Sequence, residues 1–173
     1  MPSWLRRSVI SLTLVVALAP SLQAQGAAQW SGCKMDSLAT YNCGQYYNGT
    51  VSLTNDLKGG DVNQSFRAVA TVTGGKVSCQ IKGTEEGEFS GPGMLAVEHE
   101  NNMNAGGYSI SVWCPSEAGQ KPKRDDSPLI TVSDKKATNY GVLEGKDSYD
   151  NPNADPANGL SGTETITWAL RRP

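Results

Sequence analysis

Histidine is the residue type that this chain has least of, since His99 is the only one among 173 residues. Any Ser-His-Asp or Cys-His catalytic arrangement would have to use that single imidazole. In "LAVEHEN", His99 shares the strand parity of Leu95 and Val97. Glu98 and Glu100 fall on the opposite face, so they cannot enclose a metal ion together with His99. We therefore interpret His99 as a strand-end residue, and a small secreted hydrolase is the least favoured function.

Positive charge and long apolar runs are also scarce. The chain has 15 Lys and Arg against 17 Asp and Glu, and two of the arginines lie in the first seven residues, so residues 25–173 carry a net charge of −4. Nucleic-acid-binding domains usually carry a basic stripe. A membrane-spanning helix needs about 20 consecutive apolar residues, and no segment has them. The sequence predicts no nucleic-acid partner and no membrane span.

The one extended apolar run lies near the N-terminus. Arg6 and Arg7 precede "SVISLTLVVALA", and Pro20 follows it. A short basic segment, an apolar core of about 7–15 residues and small residues after it are typical of a secretory signal peptide. The sequence therefore predicts a protein exported to the periplasm or the extracellular space.

Signal-peptide cleavage is expected after Ala24, in "SLQAQG". Cleavage near Ala27 or Ala28 is the alternative, because small residues are preferred before the cut. Residues 1–24 are then the leader, and residues 25–173 form a single β domain.

Four cysteines form an even set, which favours disulfides in an exported chain. They are Cys33, Cys43, Cys79 and Cys114. A zinc site needs more closely spaced pairs such as C-x2-C. Lipid attachment at Cys33 is disfavoured, because three glutamines separate this cysteine from the apolar core of the leader.

Strand parity favours one of the three pairings. Cys79 continues the inward-facing positions of "KVSCQIKG", and Cys114 continues those of "GYSISVWC". Both sulfurs should therefore point into the core, where they can join two strands. We predict a Cys79–Cys114 disulfide, with Cys33 and Cys43 pairing locally.

Alternation of apolar and polar residues runs through most of the chain and is typical of half-buried strands. It is present in "GTVSLTN", "SFRAVATVTGG", "KVSCQIKG", "GMLAVEHEN", "GYSISVWC", "PLITVSD" and "ETITWALRR". Turn formers separate these runs, among them "LKGGD", "TGGK" and "SGPG", and longer loops are predicted at 115–128 and 146–162. The expected fold is all-β: a single antiparallel β-sandwich, or partly open barrel, of about seven or eight strands stapled by disulfides.

A tyrosine-rich stretch, "ATYNCGQYYNGT", is a candidate recognition surface. Tyr41, Tyr46, Tyr47 and Asn48 combine rigid aromatic rings with an adaptable amide, as binding loops for proteins or sugars do. The alternative is that the tyrosines cap the core. Trp113 lies between Val112 and Cys114, which are predicted to face inward, so its indole should face outward. An exposed indole there is a further candidate anchor for a binding partner.

The loop "KDSYDNPNADPANG" holds weak candidates for calcium ligands. Asp147, Asp150, Asn153 and Asp155 supply the oxygen atoms that calcium prefers. The glycine and glutamate of an EF-hand are missing, and the same residues are common in exposed turns. We therefore predict no metal and no cofactor, and keep calcium as a weak alternative.

These observations favour an exported, non-enzymatic module that binds a protein or an envelope component, for example as an inhibitor or an immunity-type protein. Binding groups on such a module would lie on loops held by a rigid sheet. The alternative is a carbohydrate-binding module that binds its ligand through the loop tyrosines. In one form of this hypothesis, a bound calcium ion stabilises the module.

Overall fold

The computed structural model describes residues 34–35, 40–84, 87–100, 107–134 and 141–173. The predicted signal peptide and Cys33 lie outside this part, so the leader and the Cys33–Cys43 pairing stay predictions. Among the described residues, no helix has the length and apolar character needed to cross a membrane.

The described part of the chain is all-β. Its strands are β1 Lys34–Met35, β2 Thr40–Asn42, β3 Asn48–Gly59, β4 Val62–Thr73, β5 Lys76–Gly83, β6 Gly87–Glu100, β7 Gly107–Trp113, β8 Ile130–Asp134, β9 Val142–Asp150 and β10 Thr163–Arg171. Two short 3-10 helices, Gly44–Tyr46 and Pro156–Asn158, lie between them.

The strands pair antiparallel in the order β1-β2-β6-β5-β4-β3-β10-β9, and β7 pairs with both β6 and β8. The eight longer strands form a curled half-barrel. The prediction of an all-β, antiparallel, disulfide-containing fold is confirmed. Of the two architectures that the sequence left open, the sandwich is not confirmed.

The tight turn between β4 and β5 sets the register of the sheet's central strands. Gly74 and Gly75 have φ angles of 55° and 78° and connect the pair Thr73 and Lys76. A two-residue hairpin turn of this kind needs positive φ at both central positions, which glycine adopts without a steric penalty. The turn predicted at "TGGK" is confirmed.

Strand β6 joins the two parts of the sheet. Up to Gly93 it pairs with β5, and from Met94 onward it pairs with β7. A Cβ atom on Gly93 would lie 2.3 Å from Cys79 Sγ, and one on Gly91 would lie 3.1 Å from Cγ of Pro115. The turn predicted at "SGPG" is therefore wrong, because the glycines make room for the disulfide and Pro115 inside a continuous strand.

The Cys79–Cys114 disulfide is confirmed. Its Cα atoms are 5.7 Å apart and the bridge links residues 35 positions apart in the sequence. Cys79 is almost completely buried on β5, whereas Cys114 is partly buried just after β7. The bridge therefore fastens β7 and the loop that follows it to the centre of the sheet.

A single apolar cluster fills the concave side of the half-barrel, with side chains from β3, β4, β5, β6, β7, β8, β9 and β10. Trp168 on β10 donates a hydrogen bond from Nε1 to the hydroxyl oxygen of Tyr108 on β7, over 3.1 Å. Burial raises the pKa of Tyr108, although the bond from Trp168 opposes this. The bond satisfies two polar groups within the core and connects the two sides of the curl.

The loop predicted at 146–162 is wrong in its first part, because β9 extends to Asp150 and pairs with β10 along its whole length. Leu143 is the one buried side chain of this strand. Alternation of apolar and polar residues arises when one face of a strand is buried. Most side chains of β9 are exposed, so its sequence lacks this alternation. Residues 151–162 do form a connection, which contains the second 3-10 helix.

Candidate functional site

An open groove of about 660 Å³ lies between the first half of β6 and the loop after β7. The sheet contributes Phe66 from β4, Ile81 from β5 and Phe89 from β6. Ile81 and Phe89 are direct cross-strand partners, and Phe66 lies opposite Gly83. Since side chains two residues apart share a face, these three side chains meet on the concave side at one end of the half-barrel.

The other wall of the groove is the segment 114–129, which contributes more than half of the lining residues. The disulfide fixes its start at Cys114. Further along, the carbonyl oxygen of Asp126 accepts a 2.8 Å hydrogen bond from Nε1 of Trp113. At its end, the backbone N–H of Leu129 donates to the carbonyl oxygen of Val112 over 2.7 Å. The wall is therefore attached to β7 and β5 at three points.

The floor of the groove is apolar. Phe66, Phe89 and Leu129 are partly buried against the core and reach into the groove. Phe66 and Phe89 are the only two phenylalanines of the chain. A second cavity of about 480 Å³, which includes the polar Asn55 and Thr84, shares Phe66 and Leu129 with the groove. Phe66 and Leu129 therefore lie at the border between the groove and this second cavity.

The rim of the groove carries carboxylates. Glu88 and Glu117 are exposed residues that line it. Glu88 forms an ion pair with Lys82, and the carboxylate of Glu117 accepts a 2.8 Å hydrogen bond from Nε2 of Gln120. Because Glu88 alternates with Phe89, it belongs with Lys82 to the other face of the sheet, where both line a further cavity with Arg67. Glu117 is the carboxylate on the loop wall of the groove.

The predicted tyrosine surface is divided by the fold. Tyr47 is fully buried, with 0% of its surface exposed, whereas Tyr46 is partly exposed. Tyr41 pairs through its backbone with position 99, and its side chain lies outside the described part. Burial raises the pKa of Tyr47 to about 12, against a lowering effect of the nearby Arg172. Tyr47 is therefore a core residue rather than part of a surface.

Asn48, also predicted for this surface, is exposed at the start of β3. Its Oδ1 accepts a 2.8 Å hydrogen bond from the backbone N–H of Gly74. The amide thus closes the turn between β4 and β5, while the rest of the side chain faces solvent.

The predicted anchor Trp113 is 7% exposed. It lies on the face of β7 opposite the core, but the 115–128 loop covers it through the bond to Asp126 described above. In this arrangement the indole holds the groove wall in place instead of facing a partner.

The weak calcium candidates do not form one cluster. Asp147 and Asp150 lie on β9, opposite Ile166 and Thr163 respectively. The Oδ2 atom of Asp155 accepts a 2.6 Å hydrogen bond from Nδ2 of Asn158. Within the described ranges, no group of three or more His, Cys, Asp or Glu residues is arranged to hold a metal ion.

Asn153, the fourth calcium candidate, belongs to a turn organised by Asn151. Asn151 is a buried polar residue, 3% exposed. Its Nδ2 donates to Oδ1 of Asn55 and, over 2.8 Å, to the carbonyl oxygen of Asp56, and its Oδ1 accepts the N–H of Asn153 over 2.8 Å. This amide fastens the connection after β9 to β3.

The hydrogen bonds continue from Asn55 to β10. Nδ2 of Asn55 and the hydroxyl of Tyr149 both donate to the carboxylate of Glu164. Partial burial, this hydrogen bond and the negative charge of Glu164 and Asp147 raise the pKa of Tyr149 to about 12. A polar network thus joins β3, β9 and β10 at the edge of the sheet.

The backbone of His99 pairs with that of Tyr41 and Tyr108, and its imidazole lies outside the described part. The hydrolase hypothesis stays an untested prediction.

Sequence reasoning missed the groove. Alternation in "SFRAVATVTGG" places Phe66 on the apolar face of its strand, and Phe89 precedes the segment predicted as a turn, so neither position indicates a groove. The sequence links the two residues only in that they are the two phenylalanines of the chain, and their partial exposure on inward-facing positions is seen only in the structure.

No family model matches the chain, and neither a curated protein nor a solved structure is similar to it.

Proposed function

We propose that this protein is an exported, non-catalytic binding module that holds part of a protein or envelope partner in the groove beside the Cys79–Cys114 disulfide. The observation that carries the proposal is the groove itself, an open concave surface of about 660 Å³ with Phe66, Phe89 and Leu129 on its floor. Binding sites for small ligands are typically concave, mostly apolar and about 300–1,000 Å³ in volume.

The construction of the groove supports the proposal. One wall is a loop and the other is the face of a sheet. Binding residues commonly lie on loops that a rigid scaffold positions, and preorganisation lowers the entropic cost of binding. Three attachments hold the wall formed by 114–129.

Export is supported by the disulfide, because such bonds persist mainly in oxidising compartments. An inhibitor or immunity-type role is one form that the proposed binding would take. A carbohydrate-binding module remains the alternative, although the buried position of Tyr47 makes the groove the better supported location for a ligand.

Site-specific photo-cross-linking tests the proposal. Benzoyl-phenylalanine is placed at Ala118, an exposed residue that lines the groove, and in a matched control at Ala157, an exposed residue of the connection before β10. We expect one discrete adduct from position 118 in cells of the source organism. It should disappear when the exposed Ser127 is replaced, Ser127→Trp, so that the indole fills the groove.

Two results would overturn the proposal: no adduct from position 118, or adducts of the same pattern and yield from both positions. Thermal unfolding of each variant provides the control that the substitutions leave the fold intact, since surface changes usually alter stability by less than about 0.5 kcal/mol.

A further inference from the structure

The two residues of the disulfide differ in their exposure. Cys79 is 1% exposed, and it lies between its cross-strand partners Ala70 on β4 and Gly91 on β6. Cys114 is only partly buried, at the point where the loop wall of the groove begins. A reagent that approaches the bridge from solvent therefore meets it at Cys114.

Cys114 also borders two cavities. It lines the groove, and it lines a neighbouring cavity of about 610 Å³ that the loop forms with residues such as Lys121 and Pro122. Pro115, Ser116 and Ser127 are shared by the two cavities as well. The bridge is therefore approachable from the groove itself and from the loop beside it.

Exposure of one end decides how a thiol would open the bridge. Thiol–disulfide exchange begins when a thiolate attacks one of the two sulfur atoms. Attack at Cys114 forms a mixed disulfide between Cys114 and the incoming thiol, and Cys79 leaves with the electron pair of the broken bond and takes up a proton from water. A second thiolate reverses the modification by attacking the sulfur of the attached thiol. That step releases Cys114 as a thiol and joins the two small thiols as a disulfide.

The mixed disulfide would have two effects on the groove. A group attached to Cys114 stays beside the floor residues Phe89 and Leu129, because all three residues line the same depression. The same step removes one of the three attachments that hold the 114–129 wall. Exposed disulfides are generally the labile or regulatory ones, whereas buried ones resist reduction.

We propose that Cys114 is a thiol-exchange site through which a low-molecular-weight thiol closes the groove. The thiol becomes attached to Cys114 as a mixed disulfide and occupies the space that a partner fills in the oxidised protein. The position of the attachment follows from the exposure of the bridge alone, whereas its effect on a partner rests on the proposed function.

Trapping of the mixed disulfide tests the position of the attachment. The oxidised protein is incubated with reduced glutathione, the remaining thiols are blocked with iodoacetamide, and unreduced peptides are identified by mass spectrometry. We expect glutathione on Cys114 and the blocking group on Cys79. Glutathione found mainly on Cys79, or on both residues to the same extent, overturns the proposal.

The dependence of the exchange rate on urea shows which state of the chain is attacked. Attack on the folded protein should proceed at a rate that low urea concentrations leave unchanged, because no buried surface has to open first. A rate that rises steeply with urea means that the bridge is reached only after unfolding, and this result also overturns the proposal.

A permanently loaded variant tests closure of the groove. In Cys79→Ser, oxidised glutathione modifies Cys114 without a competing bridge. Loading should shift the ¹⁵N-NMR amide signals of Phe89 and Ala118, and it should remove most of the adduct that photo-cross-linking gives from position 118. If Cys79→Ser does not fold, the same signals are measured on the unaltered chain trapped with glutathione and iodoacetamide.

Ala157→Cys in the oxidised protein is the matched control. Ala157 is exposed on the connection before β10 and does not line the groove. Glutathione attached there should leave the groove signals and the cross-linked adduct unchanged.

The outcomes separate this inference from the proposed function. Glutathione on Cys114 that leaves the groove signals unshifted, or that leaves the adduct from position 118 in place, overturns closure of the groove while partner binding stands. If the unloaded protein gives no adduct from position 118, the proposed function is wrong, and the mass spectrum and the groove signals then decide the thiol-exchange site by themselves.

Discussion

Strands β5 and β9 belong to one sheet but are held in it by different forces. β5 has neighbours on both sides, β4 and β6, and its inward positions carry Val77, Cys79 and Ile81. Among the described residues, β9 pairs with β10 alone and buries only Leu143. Covalent and apolar contacts hold the central strand, whereas backbone pairing and a polar network hold the edge strand.

The groove of the proposed function lies in the more firmly held of these two regions. At the centre, the disulfide and the apolar cluster fix the floor of the groove. At the edge, the exposed positions of β9 include Glu144, Lys146, Asp147 and Asp150. Charged side chains on an edge strand oppose pairing with other chains. We therefore expect the central region to carry recognition and the edge to remain passive.

The largest expected effect is at the centre. Replacing both bridge residues, Cys79→Ala with Cys114→Ala, removes a constraint on a 35-residue loop. The chain-entropy treatment gives a loss of about 4 kcal/mol in the free energy of unfolding. Urea denaturation monitored by tryptophan fluorescence measures it. A loss below about 1 kcal/mol would show that the apolar cluster alone holds β5 and β7 together.

A smaller effect is expected at the edge. Asn151→Ala removes a buried amide and leaves its former partners on Asn55, Asp56 and Asn153 unsatisfied. The free energy of unfolding should fall by about 1–3 kcal/mol. Asn158→Ala is the matched control, because Asn158 is exposed and its side-chain amide donates to the carboxylate of Asp155. It should change stability by less than about 0.5 kcal/mol.

Hydrogen exchange locates the effect of Asn151→Ala. The amides of Asn153 and Ser161 should exchange faster, because the connection after β9 loses its attachment to β3, while amides of β5 keep their protection. Equal acceleration in β5 would contradict the separation between the centre and the edge.

The same contrast explains how much of the molecule could be predicted from the sequence. Cys79 lies in a strand whose alternate residues are buried. The alternation therefore predicts that its side chain points into the core, where it can form the bridge to Cys114. β9 has one buried side chain, so its residues resemble a polar loop. The glycines of β6 resemble a turn in the sequence, because their role depends on Cys79 and Pro115, which are distant in the chain.

The candidate site was less predictable than the fold. Phe66, Phe89 and Leu129 are far apart in the chain, and their meeting depends on strand order and on the path of the 114–129 segment. Local pattern indicates which face a residue occupies, but it does not indicate where a curled sheet leaves that face uncovered.

The smallest expected effect compares two tyrosines whose pKa is raised to about 12, Tyr47 in the core and Tyr149 at the edge. Burial is the first cause for both, but Tyr149 is 43% exposed and also donates to the carboxylate of Glu164. Glu164→Gln removes that negative charge with little change in volume. The pKa of Tyr149 should then fall toward 10, whereas that of Tyr47 should stay near 12.

A pH titration of ¹³Cζ-labelled tyrosine by NMR distinguishes the two groups. Both folded pKa values exceed the ordinary tyrosine value of about 10, so the unfolded chain loses its tyrosine hydroxyl protons at lower pH than the folded chain. The free energy of unfolding should therefore fall as pH rises from about 10 to 12, and these two tyrosines should not affect it below about pH 10. In Glu164→Gln the part of this fall that belongs to Tyr149 should shrink. An unchanged pKa of Tyr149 in Glu164→Gln would contradict this prediction, because it would mean that the carboxylate of Glu164 does not raise the pKa and that burial and Asp147 account for it.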